Sequence, residues 1–133
     1  MNDRFRFRAW DKQDKELIYE AENTYDCQSY NGHTIWHDNF ACLLDDEERY
    51  TVEQCTGLKD KNGNLIYEND IVKRHSKYSE EEKDVVLQVE WNCKGGRYIT
   101  TDKKHDTWFF SMFEYEYEVI GNIHENPELL EDK

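Results

Sequence analysis

Over residues 113–119 the chain alternates rings with carboxylates. Phe113, Tyr115, Tyr117 and Val119 take one set of positions, and Glu114, Glu116 and Glu118 take the other. Side chains on a β-strand point to opposite faces at each step, whereas a helix returns to one face every three or four residues. Only as a strand does such a segment bury one face and wet the other, so it commits this part of the chain to a sheet. The same period of two recurs near the start, with Phe5, Phe7 and Ala9 on one face and Arg4, Arg6 and Arg8 on the other. Helical periodicity is nearly absent.

Turn residues divide the rest into short runs. A turn at 11–15 separates the first strand from Leu17-Ile18-Tyr19, the return strand of a hairpin. Residues 22–32 read as a polar loop, and 34–40 and 49–55 as strands joined by the acidic turn Asp45-Asp46-Glu47-Glu48. Asp60-Lys61-Asn62-Gly63-Asn64 is rich in residues that tolerate positive φ and reads as a β-turn. Residues 70–75 and 85–91 read as an antiparallel pair, Gly95-Gly96 as the next turn and 97–101 as the strand after it. Asn126-Pro127-Glu128 suits a helix start, with asparagine as N-cap and proline at the first helical position. Short strands with turn signals at intervals of about ten residues point to an all-β chain, a small barrel or sandwich.

The 133 residues suit one compact domain, or two regions at 1–52 and 53–133. With 37% apolar residues but 14% aromatic ones, the core has to be built from a few large rings. Thirty acidic against 17 basic residues leave a net charge of −13, which opposes binding to nucleic-acid phosphates and to anionic membranes. Arg4, Arg6 and Arg8 form a local basic patch too small for a nucleic-acid surface. Cys27, Cys42, Cys55 and Cys93 are irregularly spaced, without the paired spacing of zinc ribbons or thioredoxin-like sites. At least two of them are expected to be small buried hydrophobes. The N-terminal residues are charged and lack an apolar signal core, which fits the cytoplasm, where thiols stay reduced.

No pattern here carries catalytic chemistry. Asp60, Asn62 and Asn64 share the one-three-five spacing of a calcium loop, but Leu65 and Ile71 stand where that loop needs glycine and glutamate. A plain turn accounts for them. His33 and His37, placed on a strand, would lie about 13 Å apart, too far to chelate one ion. There is no P-loop, dinucleotide fingerprint, HExxH or nucleophile elbow, so neither enzyme, cofactor nor metal is expected. Two features suggest a protein surface instead. Glu114, Glu116 and Glu118 repeat at about 6.7 Å on a strand face, comparable to nucleic-acid phosphates. They read either as a solvated, charge-protected face or as an imitation of nucleic acid. Trp108, Phe109 and Phe110, with Met112 and Phe113, read either as core or as the centre of an interface.

Four blocks together resemble the YopX family of phage and prophage proteins. They are Phe5-Arg6-Phe7-Arg8-Ala9-Trp10-Asp11; Thr56-Gly57-Leu58-Lys59-Asp60-Lys61-Asn62-Gly63 with Ile66-Tyr67-Glu68-Asn69-Asp70-Ile71-Val72; Val89-Glu90-Trp91; and the run from Ile120 to Leu130. The resemblance implies an SH3-like barrel over the second half with a β-rich N-terminal portion and a short C-terminal helical turn. It also implies an accessory protein acting in a bacterial host cell, and it brings no catalytic or binding role to any residue. Asn69 stands where the resembled pattern has glycine, and asparagine tolerates the left-handed conformation next best. Gly57, Gly63 and Gly121 are then backbone necessities, and Ile71 and Trp91 core. The expected function is a non-enzymatic protein-binding or oligomerisation module, with a bacterial or phage protein, or a second copy, as partner. The alternative is an acidic inhibitor that imitates nucleic acid towards a host DNA- or RNA-binding protein.

Overall fold

The computed structural model describes residues 2–23, 40–102 and 114–131, and the strand paths of 28–30, 33–35 and 108–109. It is all-β in class, and the chain divides into two compact units, Met1–Cys55 and Thr56–Lys133.

In the first unit β1 (Phe7–Asp11) pairs antiparallel with β2 (Glu16–Tyr19). Asp11 makes the hairpin: its Oδ1 accepts the N–H groups of Gln13 and Asp14, and Lys15 takes φ 57° to bring the chain round. A 3-10 turn at Ala21–Asn23 follows, then the backbone pair β3 (Gln28–Tyr30) and β4 (His33–Ile35), and a short helix α1 (Phe40–Asp45). The chain then enters β5 (Tyr50–Lys59), which crosses from the first unit into the second. Its first residues pair antiparallel with β1, Ala9 opposite Val52 and Asp11 opposite Tyr50. Ala9, Ala21, Leu43 and Tyr50 form the core of this unit, with Phe7, Ile18, Phe40 and Val52 packed on it. The Phe7 and Phe40 rings meet at 5.0 Å.

Four expectations change here. Strand β3 lies within the stretch read as loop, and α1 takes the end of the stretch read as strand, because six residues are too few to display a helical period. Arg4 and Phe5 belong to a 3-10 turn, Asp3–Phe5, so the alternation begins only at Phe7. Arg8 is not part of a surface patch. Its guanidinium bonds Glu53 Oε1 at 2.8 Å, and the two side chains are 2% and 0% exposed. Burial of either charge alone would be costly, so each requires the other.

The second unit is built on β6 (Leu65–Tyr67), β7 (Asp70–Ser76), β8 (Val85–Asn92), β9 (Arg97–Thr101), β10 (Trp108–Phe109) and β11 (Tyr115–Asn122). The last five form an antiparallel sheet in the order β10-β9-β8-β7-β11, curved into a half-barrel. Val72, Leu87, Val89 and Tyr117 bury one face of it together with Ile66, and Tyr98, Tyr115 and Val119 pack at their margin. The alternation over 113–119 is therefore realised from Tyr115 onward. Glu114 and Glu116 are exposed, Glu118 is half-buried, and Tyr117 is fully buried.

Asp60 fastens the turn to this sheet. Its carboxylate accepts the N–H groups of Asn62, Asn64 and Val119, and Lys61 N–H donates to the Tyr117 carbonyl. Asn69 takes φ 69°, the left-handed conformation expected of it, while its N–H reaches the Val89 carbonyl. Ile71 is buried as expected. Trp91 is not core: it is 48% exposed. It continues the inward row of Leu87 and Val89 past the end of the core, where it meets Tyr98 edge-on at 5.0 Å. Asn126 makes no side-chain cap bond to the 3-10 turn Pro127–Leu130; its oxygen accepts from Asn122 N–H at 3.4 Å instead. Of the three described cysteines, Cys55 is buried, and Cys42 and Cys93 are exposed.

Candidate functional site

The outward face of β7 and β11 carries opposed charges in register. Glu118 lies opposite Lys73 and Glu116 opposite His75. The strands alternate because Val72 and Arg74, like Tyr117 and Val119, turn inward, which leaves Lys73, His75, Glu116 and Glu118 on the other side. Lys61, from the turn that Asp60 anchors, places its Nζ 3.4 Å from Glu118 Oε2. Asp84, just before β8, brings Oδ1 to 2.6 Å from His75 Nδ1. These six side chains line an open cleft of about 350 Å³.

The electrostatics follow from the pairing. The hydrogen bond from His75 holds the Asp84 carboxyl below its ordinary value; slight desolvation opposes this, and the charges of His75, Lys73 and Lys61 reinforce it. Arg74 points the other way, buried, with its guanidinium 4.3 Å from the centre of the Tyr115 ring. Among the described residues the cleft is lined by two lysines, a histidine and three carboxylates, with no hydroxyl or thiol nucleophile. Its chemistry is ion pairing and hydrogen bonding.

The residues singled out in the sequence fall in different places. Glu116 and Glu118 line the cleft, and Glu114 sits exposed in the preceding turn, its carbonyl accepting from Lys77 N–H. Two of the row are thus flanked by Lys73 and His75 from the neighbouring strand. Trp108 and Phe109 form β10 against Thr100 and Ile99 of β9. Their side chains, and Phe110, lie outside the described residues, as does His37. Lys61, Lys73, His75 and Asp84 were not singled out in the sequence. The exposed alternation of Lys73 and His75 is visible there, but the pairing of β7 with β11 joins residues 39 to 52 positions apart and leaves no local signal.

Among the described residues, one acidic group elsewhere has ligand-like spacing. The carboxylates of Asp11, Asp14 and Glu16 come within 4.8 Å of one another. Arg49 already supplies the cation there, bonding Asp11 at 3.0 and 3.2 Å and lying 3.5 Å from Asp14. Burial raises the Asp11 carboxyl, but the Arg49 guanidinium and the N–H groups of Asp14 and Gln13 outweigh it and hold the group low.

The sequence profile described as YopX protein matches residues 6–131. The chain belongs to the YopX family. Among the solved structures that share its fold are two bacterial proteins. Protein EF1440 from Enterococcus faecalis is 29% identical with a TM-score of 0.63, over 95% of this chain and 97% of that one. Protein yopX from Bacillus subtilis is 19% identical with a TM-score of 0.64, over 100% of this chain and 99% of that one. No curated protein matches. The YopX family description and the names of both relatives carry no activity. No helix among the described residues is long and apolar enough to cross a membrane.

Proposed function

We propose that the protein is a non-enzymatic binding module that engages a protein partner through the charged cleft on β7 and β11. The observation that carries this reading is the cleft itself, where Lys61, Lys73 and His75 stand against Asp84, Glu116 and Glu118. A partner segment bearing both signs of charge can exchange each internal ion pair for an intermolecular one. Such arrangements set register and association rate more than raw affinity. The bacterial sources of both structural relatives support a partner inside a bacterial cell, in keeping with an accessory role in phage or prophage biology.

The net charge of −13 supports imitation of nucleic acid as a second reading. Lys73 opposite Glu118, with Lys61 at 3.4 Å from the same carboxylate, weighs against it, since phosphates present no such pairing. Capture from bacterial lysate separates the two. Under the mixed-charge reading, Lys61→Glu with Lys73→Glu and Glu116→Lys with Glu118→Lys each lose the partner held by the wild type. If the lysine-to-glutamate pair strengthens capture of a nucleic-acid-binding protein while the reverse pair abolishes it, imitation is the correct reading. A partner retained by both variants contradicts both.

A further inference from the structure

A second surface lies in the first unit, along the outer edge of β5. Antiparallel strands alternate between residues whose N–H and C=O groups face the partner strand and residues whose groups face away. Lys12 N–H bonds the Arg49 carbonyl and Cys55 N–H bonds the Arg6 carbonyl, so positions 49, 51, 53 and 55 face β1. Val52 and Gln54 therefore turn their N–H and C=O groups to the opposite edge. Strand β6 joins β5 nearer the Asp60–Asn64 turn, where Thr56 Oγ1 donates to the Ile66 carbonyl, and no described residue bonds the backbone of Val52 or Gln54 on that side. Beside this edge is an open groove of about 320 Å³ lined by Leu43, Leu44, Glu47, Tyr50, Thr51 and Val52. Leu44 is 49% exposed.

We propose that the Val52–Gln54 edge and this groove take an extended segment of a partner protein as an added strand, with alternating apolar and basic residues. An edge that no described residue pairs calls for an extended backbone, since only that conformation satisfies both donors and acceptors. Leu44 and Val52 select apolar side chains at alternate positions. Asp45, Asp46, Glu47 and Glu48, all exposed at the end of α1, select lysine or arginine at the rest. A second copy of this chain is disfavoured, because joining two such edges would bring two of these acidic runs together.

The test uses the full chain and synthetic peptides of alternating lysine and valine, alternating glutamate and valine, and lysine and valine with N-methyl groups along one backbone edge. The lysine peptide should slow hydrogen exchange at Val52 and Gln54. N-methylation should weaken its binding about tenfold, the size expected for one or two lost hydrogen bonds. Leu44→Lys and Glu47→Lys, both at exposed positions, should weaken it similarly while leaving the unfolding midpoint in place. Equal binding of the methylated or the glutamate peptide would overturn the proposal. So would unchanged exchange at Val52 and Gln54 on saturation, or protection of those amides by self-association alone.

Discussion

A β-carbon built on Gly121 would lie 2.6 Å from Asn126 Oδ1, closer than atoms of this kind approach. Gly121→Ala is expected to cost about 1–3 kcal/mol in urea unfolding, as overpacking does. Asn126→Gly in the same chain should recover part of that loss, and no recovery would place the strain elsewhere. The Arg8–Glu53 pair gives a second residue-level expectation. Either Arg8→Met or Glu53→Leu alone leaves one buried charge and should cost about 3–5 kcal/mol, whereas the two together should cost far less. Equal costs for single and double replacements would contradict the pairing. Arg8 also marks a limit of sequence reading. Its place in the Arg4-Arg6-Arg8 alternation looks solvated, and only the approach of Glu53, 45 positions on, makes it an interior residue.

Among the elements, the Asp60 turn couples local chemistry to the sheet. Burial raises the Asp60 carboxyl, but the N–H groups of Val119, Asn64 and Asn62 more than offset this and depress it. A depressed folded value means the unfolded chain binds the proton more readily. The stabilisation is full above the unfolded carboxyl value, near 3.9, and is lost as pH falls through the folded one. Unfolding followed by urea between pH 6 and pH 3 should therefore show stability falling on acidification, with Asp60→Asn less stable at pH 6 and less sensitive to acid. An unchanged acid slope in Asp60→Asn would count against this role. The turn, the β7–β8 pair and the strand ending at Asn122 were legible because φ preferences and period-two alternation are local properties. The helix α1 is too short to express its period, and Trp91 has the right parity for core but the wrong position along its strand. The candidate cleft was half legible: Glu116 and Glu118 stand out in sequence, whereas Lys73 and His75 opposite them arrive through strand pairing.

Each of the two units in the whole molecule carries its own buried cluster, Ala9, Ala21, Leu43 and Tyr50 in one and Ile66, Val72, Leu87, Val89 and Tyr117 in the other. A fragment of residues 56–133 is therefore expected to unfold cooperatively by circular dichroism and to give a dispersed amide spectrum; a collapsed spectrum would show that its core is insufficient alone. At this scale the charge pattern also predicts how binding responds to solution conditions. Exposed ion pairs are screened over about 8 Å at physiological ionic strength, so partner binding through the cleft should weaken as salt rises. The most direct measurement is the amide spectrum of the labelled protein titrated with its captured partner. The account predicts the largest shifts at Lys61, Lys73, His75, Asp84, Glu116 and Glu118. A saturated complex that leaves these six unperturbed would contradict it.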